Sequence, residues 1–273
     1  QMRKIAAVVI LYCIATSSFA QENLRSVWTN QPVNVDGTSN DWNLPLKFYD
    51  NETNLFFAIK NDSNNLYLCF QSKDDIIQTK IMRAGMKIIL SDKINGKHKS
   101  VLSFPLSAKH FPKPVDNPDE IKPDPLAPRQ SERDAFIARD TMMEAKGFAK
   151  TNGIISTNNI SGIRASIGFD SANILTCEVA IPLKELFGDH YDPKDITKDI
   201  SLNVIINPVA TNSGNSAGSG GYSGRGGARG GGYGGQRGGN RSEDEERSQY
   251  QQRSVMSQKT ELKQKFVLAT QVE

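Results

Sequence analysis

The stretch Asn54–Asp74, NLFFAIKNDSNNLYLCFQSKD, decides the fold class. Leu55 to Ile59 and Leu66 to Phe70 are apolar arms around the polar cluster Asn61-Asp62-Ser63-Asn64-Asn65. Such side chains tolerate left-handed backbone angles and bond their own main chain, so the stretch reads as a hairpin. In the second arm Leu66, Leu68 and Phe70 share one face, and Tyr67, Cys69 and Gln71 share the other. This alternation predicts a strand with one buried side.

Strand and turn signals continue on both sides. Val33 to Val35 predicts a short strand that breaks at Asp36-Gly37, and the polar loop from Asp36 ends in Trp42, whose ring is predicted to fold back over an edge of the sandwich. Ile76 to Ser91 predicts two strands split at Ala84-Gly85. Asn95-Gly96 marks a hairpin tip, and Ser100 to Leu106 predicts the returning strand. Residues 107–133 carry six prolines and little apolar periodicity, a Pro-rich excursion. Asp134 to Lys146 predicts one short helix. Gly153 to Ser156, Ile160 to Phe169 and Ile174 to Leu183 predict three strands, the last placing Leu175, Cys177, Val179 and Ile181 on one face before a helical turn at Lys184 to Phe187. Ile200 to Val209 and Glu261 to Val272 complete the set. Strands and turns at this spacing, with hardly any helix, predict an all-β fold: an antiparallel β-sandwich of about ten strands.

The chain has 273 residues, 37% apolar and 23% charged, which fits one sandwich domain over 21–273 with additions. Residues 1–20 read as a signal peptide: Arg3 and Lys4, an apolar run from Ile5 to Ile14, and Ser18-Phe19-Ala20 before Gln21. The run is far short of the roughly 20 residues a bilayer needs, so no membrane span is expected. Bulky Tyr12 before Cys13 argues against lipidation, leaving export to the periplasm, outer surface or extracellular space as the expectation. Without Arg3 and Lys4 the chain has 31 basic and 30 acidic residues, and this balance names no partner. Cys69 and Cys177 each sit in an apolar run; they bridge if their Cα atoms lie within about 7 Å, and otherwise act as small core hydrophobes.

Residues 212–257 gather glycine with Tyr222, Tyr233, Arg225, Arg229 and Arg237 and lack bulky aliphatic residues at their centre, predicting a disordered loop. Arginine, glycine and tyrosine in this mixture suit single-stranded nucleic acid, but export and the acidic run Glu243-Asp244-Glu245-Glu246 argue against that partner. His98, His110 and His190 show no metal-ligand spacing, and no serine elbow, paired-cysteine motif or phosphate loop is present. The expectation is a protein that is not an enzyme.

Val35-Asp36-Gly37 with Asp41-Trp42, then Asn61-Asp62 with Asn65-Leu66-Tyr67-Leu68, and later Glu178-Val179-Ala180-Ile181-Pro182 form an ordered set. This set resembles the family 9 carbohydrate-binding modules and the related DOMON-like sandwiches. The resemblance implies a non-catalytic domain that clamps a sugar ring with aromatic side chains, with calcium able to brace its loops and no other cofactor. The candidate ligand-binding residues are the two tryptophans, Trp28 and Trp42. Two alternatives stand beside this reading. One is a haem-binding sandwich of the DOMON type, for which Met82, Met86 and the histidines supply residue types. The other is an envelope scaffold that binds protein and no small ligand.

Overall fold

The computed structural model describes residues 24–92, 99–107, 128–190, 198–209 and 254–271. These form an all-β sandwich with few helices. The strands are β1 (Leu24–Arg25), β2 (Val27–Trp28), β3 (Phe48–Asp50), β4 (Leu55–Asn61), β5 (Asn65–Ser72), β6 (Met86–Asp92), β7 (Lys99–Ser103), β8 (Met142–Lys146), β9 (Gly153–Ser156), β10 (Arg164–Phe169), β11 (Leu175–Pro182), β12 (Ile200–Ile206) and β13 (Thr260–Val267). The helices are α1 (Asp75–Ala84), α2 (Pro128–Arg139) and α3 (Leu183–Phe187).

One sheet has seven strands in the order β1-β13-β12-β6-β7-β8-β9; the other has six, β10-β11-β5-β4-β2, with β3 also on β4. The predicted hairpin is β4 and β5, paired from Phe56↔Gln71 to Asn61↔Leu66. Leu55, Phe57 and Ile59 of β4, Leu66, Leu68 and Phe70 of β5, and Cys177, Val179 and Ile181 of β11 pack against Ile88, Leu102, Val204 and Phe266 of the seven-stranded sheet.

The sheets are mixed rather than wholly antiparallel. β1 lies parallel to β13 and β2 parallel to β4, so the chain crosses from one sheet to the other at Ser26. The crossing is pinned by buried polar groups. Ser26 N–H donates to Val267 O at 3.0 Å, its hydroxyl donates to Asn61 Oδ1, and Ala269 N–H donates to Asn61 Oδ1 at 2.9 Å.

Several expectations are corrected. The first strand expected between Ile76 and Ser91 is α1. Asp74 caps it by accepting from the Ile76 and Ile77 N–H groups at 2.9 and 3.0 Å, and Ile77, Ile81 and Ala84 bury one face at helical spacing. Gly85 stops the helix at φ +75°, where a Cβ would stand 2.5 Å from Pro105 O. Val33 to Val35 is not a strand, and Val33 is buried against the outer face of β5 and β11. The helix expected over 134–146 is split: α2 begins at Pro128, inside the predicted Pro-rich excursion, and ends at Arg139. Met143 and Ala145 then alternate inward as β8. Of the excursion, 108–127 lie outside the described residues, as do 1–20, the Asn95-Gly96 tip and 212–253 of the glycine-rich stretch; 254–257 form a helical turn. β6 and β7, which the Asn95-Gly96 tip was expected to join, pair antiparallel. Cys69 and Cys177 are both free: Cys69 faces outward beside Tyr67 and Ala180, and Cys177 faces the core, so they stand on opposite faces of one sheet.

Candidate ligand-binding site

Part of the ordered sequence set meets on the outer face of the six-stranded sheet, namely Asp36, Gly37, Trp42, Tyr67, Glu178 and Ala180, while Leu66, Leu68, Val179 and Ile181 face the core. Glu178 points away from the core on β11 and is nevertheless buried, because the segment from Val33 to Leu46 lies over it. Its Oε2 accepts from the Gly37 N–H at 2.8 Å and the Asp36 N–H at 3.1 Å, and its Oε1 accepts from Trp42 Nε1–H at 2.7 Å. Burial pushes this carboxyl upward from the usual glutamate range, and the three donors oppose that by favouring the charged form. Gly37 has φ +83°, and a Cβ on it would meet the Ile167 carbonyl carbon at 2.8 Å, so glycine alone lets the loop approach β10.

Trp42 is the loop's apolar anchor. It is 5% exposed and packs with Val33, Leu46, Tyr67, Cys69 and Ala180, while Lys60 Nζ stands 5.1 Å from its ring centre. The ring folds back over the sandwich as the sequence predicts, and its own protein covers it. Trp28 is half-buried at the far end of the β4 edge, opposite Asn61, and its Nε1–H donates to Asn30 Oδ1 at 2.8 Å. The two tryptophans do not form a clamp. Thr29, Gln31 to Val33 and Asn40 to Asn43 line a polar notch of about 260 Å³ in which Trp42 is the one aromatic, and Trp28 is outside that lining.

The same loop raises one wall of a larger pocket of about 330 Å³, lined by Leu44, Pro45, Phe56, Gln71, Asp170 and Ile174 among others. Phe56 projects outward because β4 alternates strictly, with Leu55 and Phe57 facing the core. Opposite it on β3 stands Tyr49, 47% exposed, with ring centres 4.6 Å apart and planes inclined by 42°. Tyr49 Oη donates to Asn54 Oδ1 at 2.9 Å, which fixes the ring. Lys73 and Asp170 are exposed at the rim, and Asp170 Oδ1 holds its own turn by accepting from the Ala172 and Ile174 N–H groups at 2.9 and 2.8 Å. A largely apolar lining with one aromatic ring, that of Phe56, and a few polar groups at the edge is the usual make-up of a small-ligand pocket, and Tyr49 braces that ring from outside the lining. Trp28 lies about 17 Å along β4 from this aromatic pair, counting five residues from Phe56 to Asn61.

Among the described residues no three His, Cys, Asp or Glu side chains converge to hold a metal. The acids nearest the loop serve its own main chain: Asp36 accepts from Thr38 N–H at 2.8 Å and Asp41 from Asn34 N–H at 2.7 Å. That set does not fit calcium, which needs six to eight converging oxygens. Met86 is packed in the core, and Met82 lies partly buried against it. His190 is exposed. No described helix is long and apolar enough to cross a membrane.

No family model matches this chain, and no curated protein does. Among solved structures it is similar to a carbohydrate-binding module of family 9 from Caldicellulosiruptor kristjanssonii in complex with glucose. That alignment covers 69% of this chain and 79% of the other, with TM-score 0.37 and 10% identity.

Proposed function

We propose that this chain is an exported, non-catalytic sugar-binding sandwich, and that a neutral sugar seats in the pocket beside Phe56 and Tyr49. The observation that carries this reading is the aromatic pair itself. The Phe56 ring lines a cavity with Gln71, Lys73 and Asp170 around it, and Tyr49 packs against that ring at 4.6 Å. A sugar ring offers an apolar face of C–H groups to an aromatic surface and hydroxyls to polar groups at the edge. The sequence set supports the same reading indirectly: Glu178, Gly37 and Trp42 hold the loop whose Leu44 and Pro45 form the pocket wall.

The test is a screen of neutral glycans with the wild type, Phe56→Ala, Tyr49→Ala and Trp28→Ala. Loss of one aromatic contact is expected to weaken binding at least about tenfold for Phe56→Ala and Tyr49→Ala, and to leave Trp28→Ala unchanged. Tyr49 is exposed, so its variant keeps the test valid if Phe56→Ala is poorly folded. Failure to bind any neutral glycan, or binding that survives both variants, overturns the reading.

A further inference from the structure

The outer face of the seven-stranded sheet carries a second cavity, of about 480 Å³, far from the aromatic pocket and of different chemistry. Its residues come from four neighbouring strands and the chain just before one of them. The register places Lys265, Ser201, Ser91 and Lys99 in one row across β13, β12, β6 and β7. The next row sets Lys263 beside Asn203 and Ile89. Two lysines thus stand at the two ends of a floor of hydroxyls, three strand spacings or about 14 Å apart. Lys263 adds a third cation, and it also contacts Glu261 at 3.4 Å. Glu261 is held as well by Lys259 at 2.9 Å and by an Asn203 amide hydrogen bond, so Lys263 is not its sole counter-charge. Asp199 is the one acidic residue in the lining.

Three features define what fits here. Three lysines against one aspartate favour an anion. Their separation across four strands favours an extended chain over a single small ion. The hydroxyl and amide floor of Ser91, Ser201 and Asn203 favours a ligand rich in hydroxyls. Single-stranded nucleic acid also has extended negative charge, but its binding sites supply aromatic side chains for the bases, and no aromatic residue lines this cleft.

We infer that this cleft binds an acidic polysaccharide, a uronic-acid chain whose carboxylates meet Lys99, Lys263 and Lys265 while its hydroxyls meet Ser91, Ser201 and Asn203. The site is independent of the aromatic pocket and takes a different class of sugar.

The experiment measures binding of the full chain to polygalacturonate, neutral dextran and a single-stranded oligonucleotide, using the wild type, the triple variant K99Q/K263Q/K265Q and the charge-keeping triple K99R/K263R/K265R. All three lysines are exposed, so neither triple threatens the core. The wild type is expected to bind polygalacturonate over dextran and oligonucleotide, more weakly as salt rises, and the glutamine triple to lose at least about tenfold. The arginine triple is expected to retain binding. No binding to polygalacturonate, equal binding by the glutamine triple, or tighter binding to the oligonucleotide overturns the inference.

Discussion

The two sheets of this sandwich treat their outer faces differently. On the seven-stranded sheet β12 alternates buried and half-buried residues along its whole length, and Ser201 and Asn203 face a bare surface edged with lysines. On the six-stranded sheet β11 is buried at every position, because Trp42, Val33 and Leu46 lie across Tyr67, Cys69 and Ala180. A strand's outward side chains therefore report its cover: serine, asparagine and lysine where water lies outside, tyrosine, cysteine and alanine where a loop does. The covered face also has somewhere to build an apolar pocket, since the edge of the cover leaves Phe56 facing the wall of Leu44 and Pro45, with Tyr49 packed against its ring.

The strongest way to break this contrast is to release the cover. Glu178→Ala strands the Trp42 indole N–H and the Gly37 and Asp36 amides, and is expected to cost about 4 kcal/mol in urea unfolding, with the tryptophan emission shifting red. A second buried carboxylate gives the opposite outcome. Asp140 lies just before β8, its side chain fully buried and Arg139 NH2 3.7 Å from its Oδ2. Burial drives it up to about 7, against the opposing charge of Arg139. A carboxyl raised in the folded state holds its proton there when the unfolded chain has lost it. Stability is therefore highest below the unfolded value near 4, and falls as pH rises through 7. Asp140→Asn is expected to flatten that decline and to gain about 3 kcal/mol at pH 8 relative to its effect at pH 4, read from unfolding curves at the two pH values.

Smaller perturbations sharpen the same contrast. Gly37→Ala is expected to lose about 2 kcal/mol, because its methyl meets the β10 backbone at a positive φ; a neutral change in melting temperature would mean that the loop does not approach so closely. Tyr67→Phe removes the hydrogen bond to Asp62 Oδ2 at 2.6 Å while keeping the ring under the cover. It should cost about 1 kcal/mol in the same denaturation assay.

Much of the sandwich was legible in the chain. The β4–β5 hairpin, the inward set Leu175, Cys177, Val179 and Ile181, and the α3 turn followed from alternation and turn residues. Cover over the second face was not predicted for β5, although its signal was present: Tyr67 and Cys69 are poor residues to leave in water. The strand expected at Ile76 was a misread period. Ile77, Ile81 and Ala84 follow helical spacing between an Asp74 cap and a Gly85 stop, and adjacent isoleucines hid it. The aromatic pair was out of reach because β3 is three residues long and meets Phe56 only through tertiary pairing. The packing of Trp42 was legible from its place at the end of a tight polar loop, but the outward ring that lines the pocket belongs to Phe56, with Tyr49 packed against it.

The central claim is that the aromatic pocket at the edge of the cover receives a neutral sugar. Its most direct test is an amide NMR titration of the full chain with a neutral oligosaccharide drawn from the screen. The account predicts shifts concentrated at Leu44, Leu46, Phe56, Gln71 and Lys73, with Ser91, Ser201 and Lys265 unmoved. Shifts centred on Trp28 or on the lysine cleft, or none at saturating sugar, would contradict it.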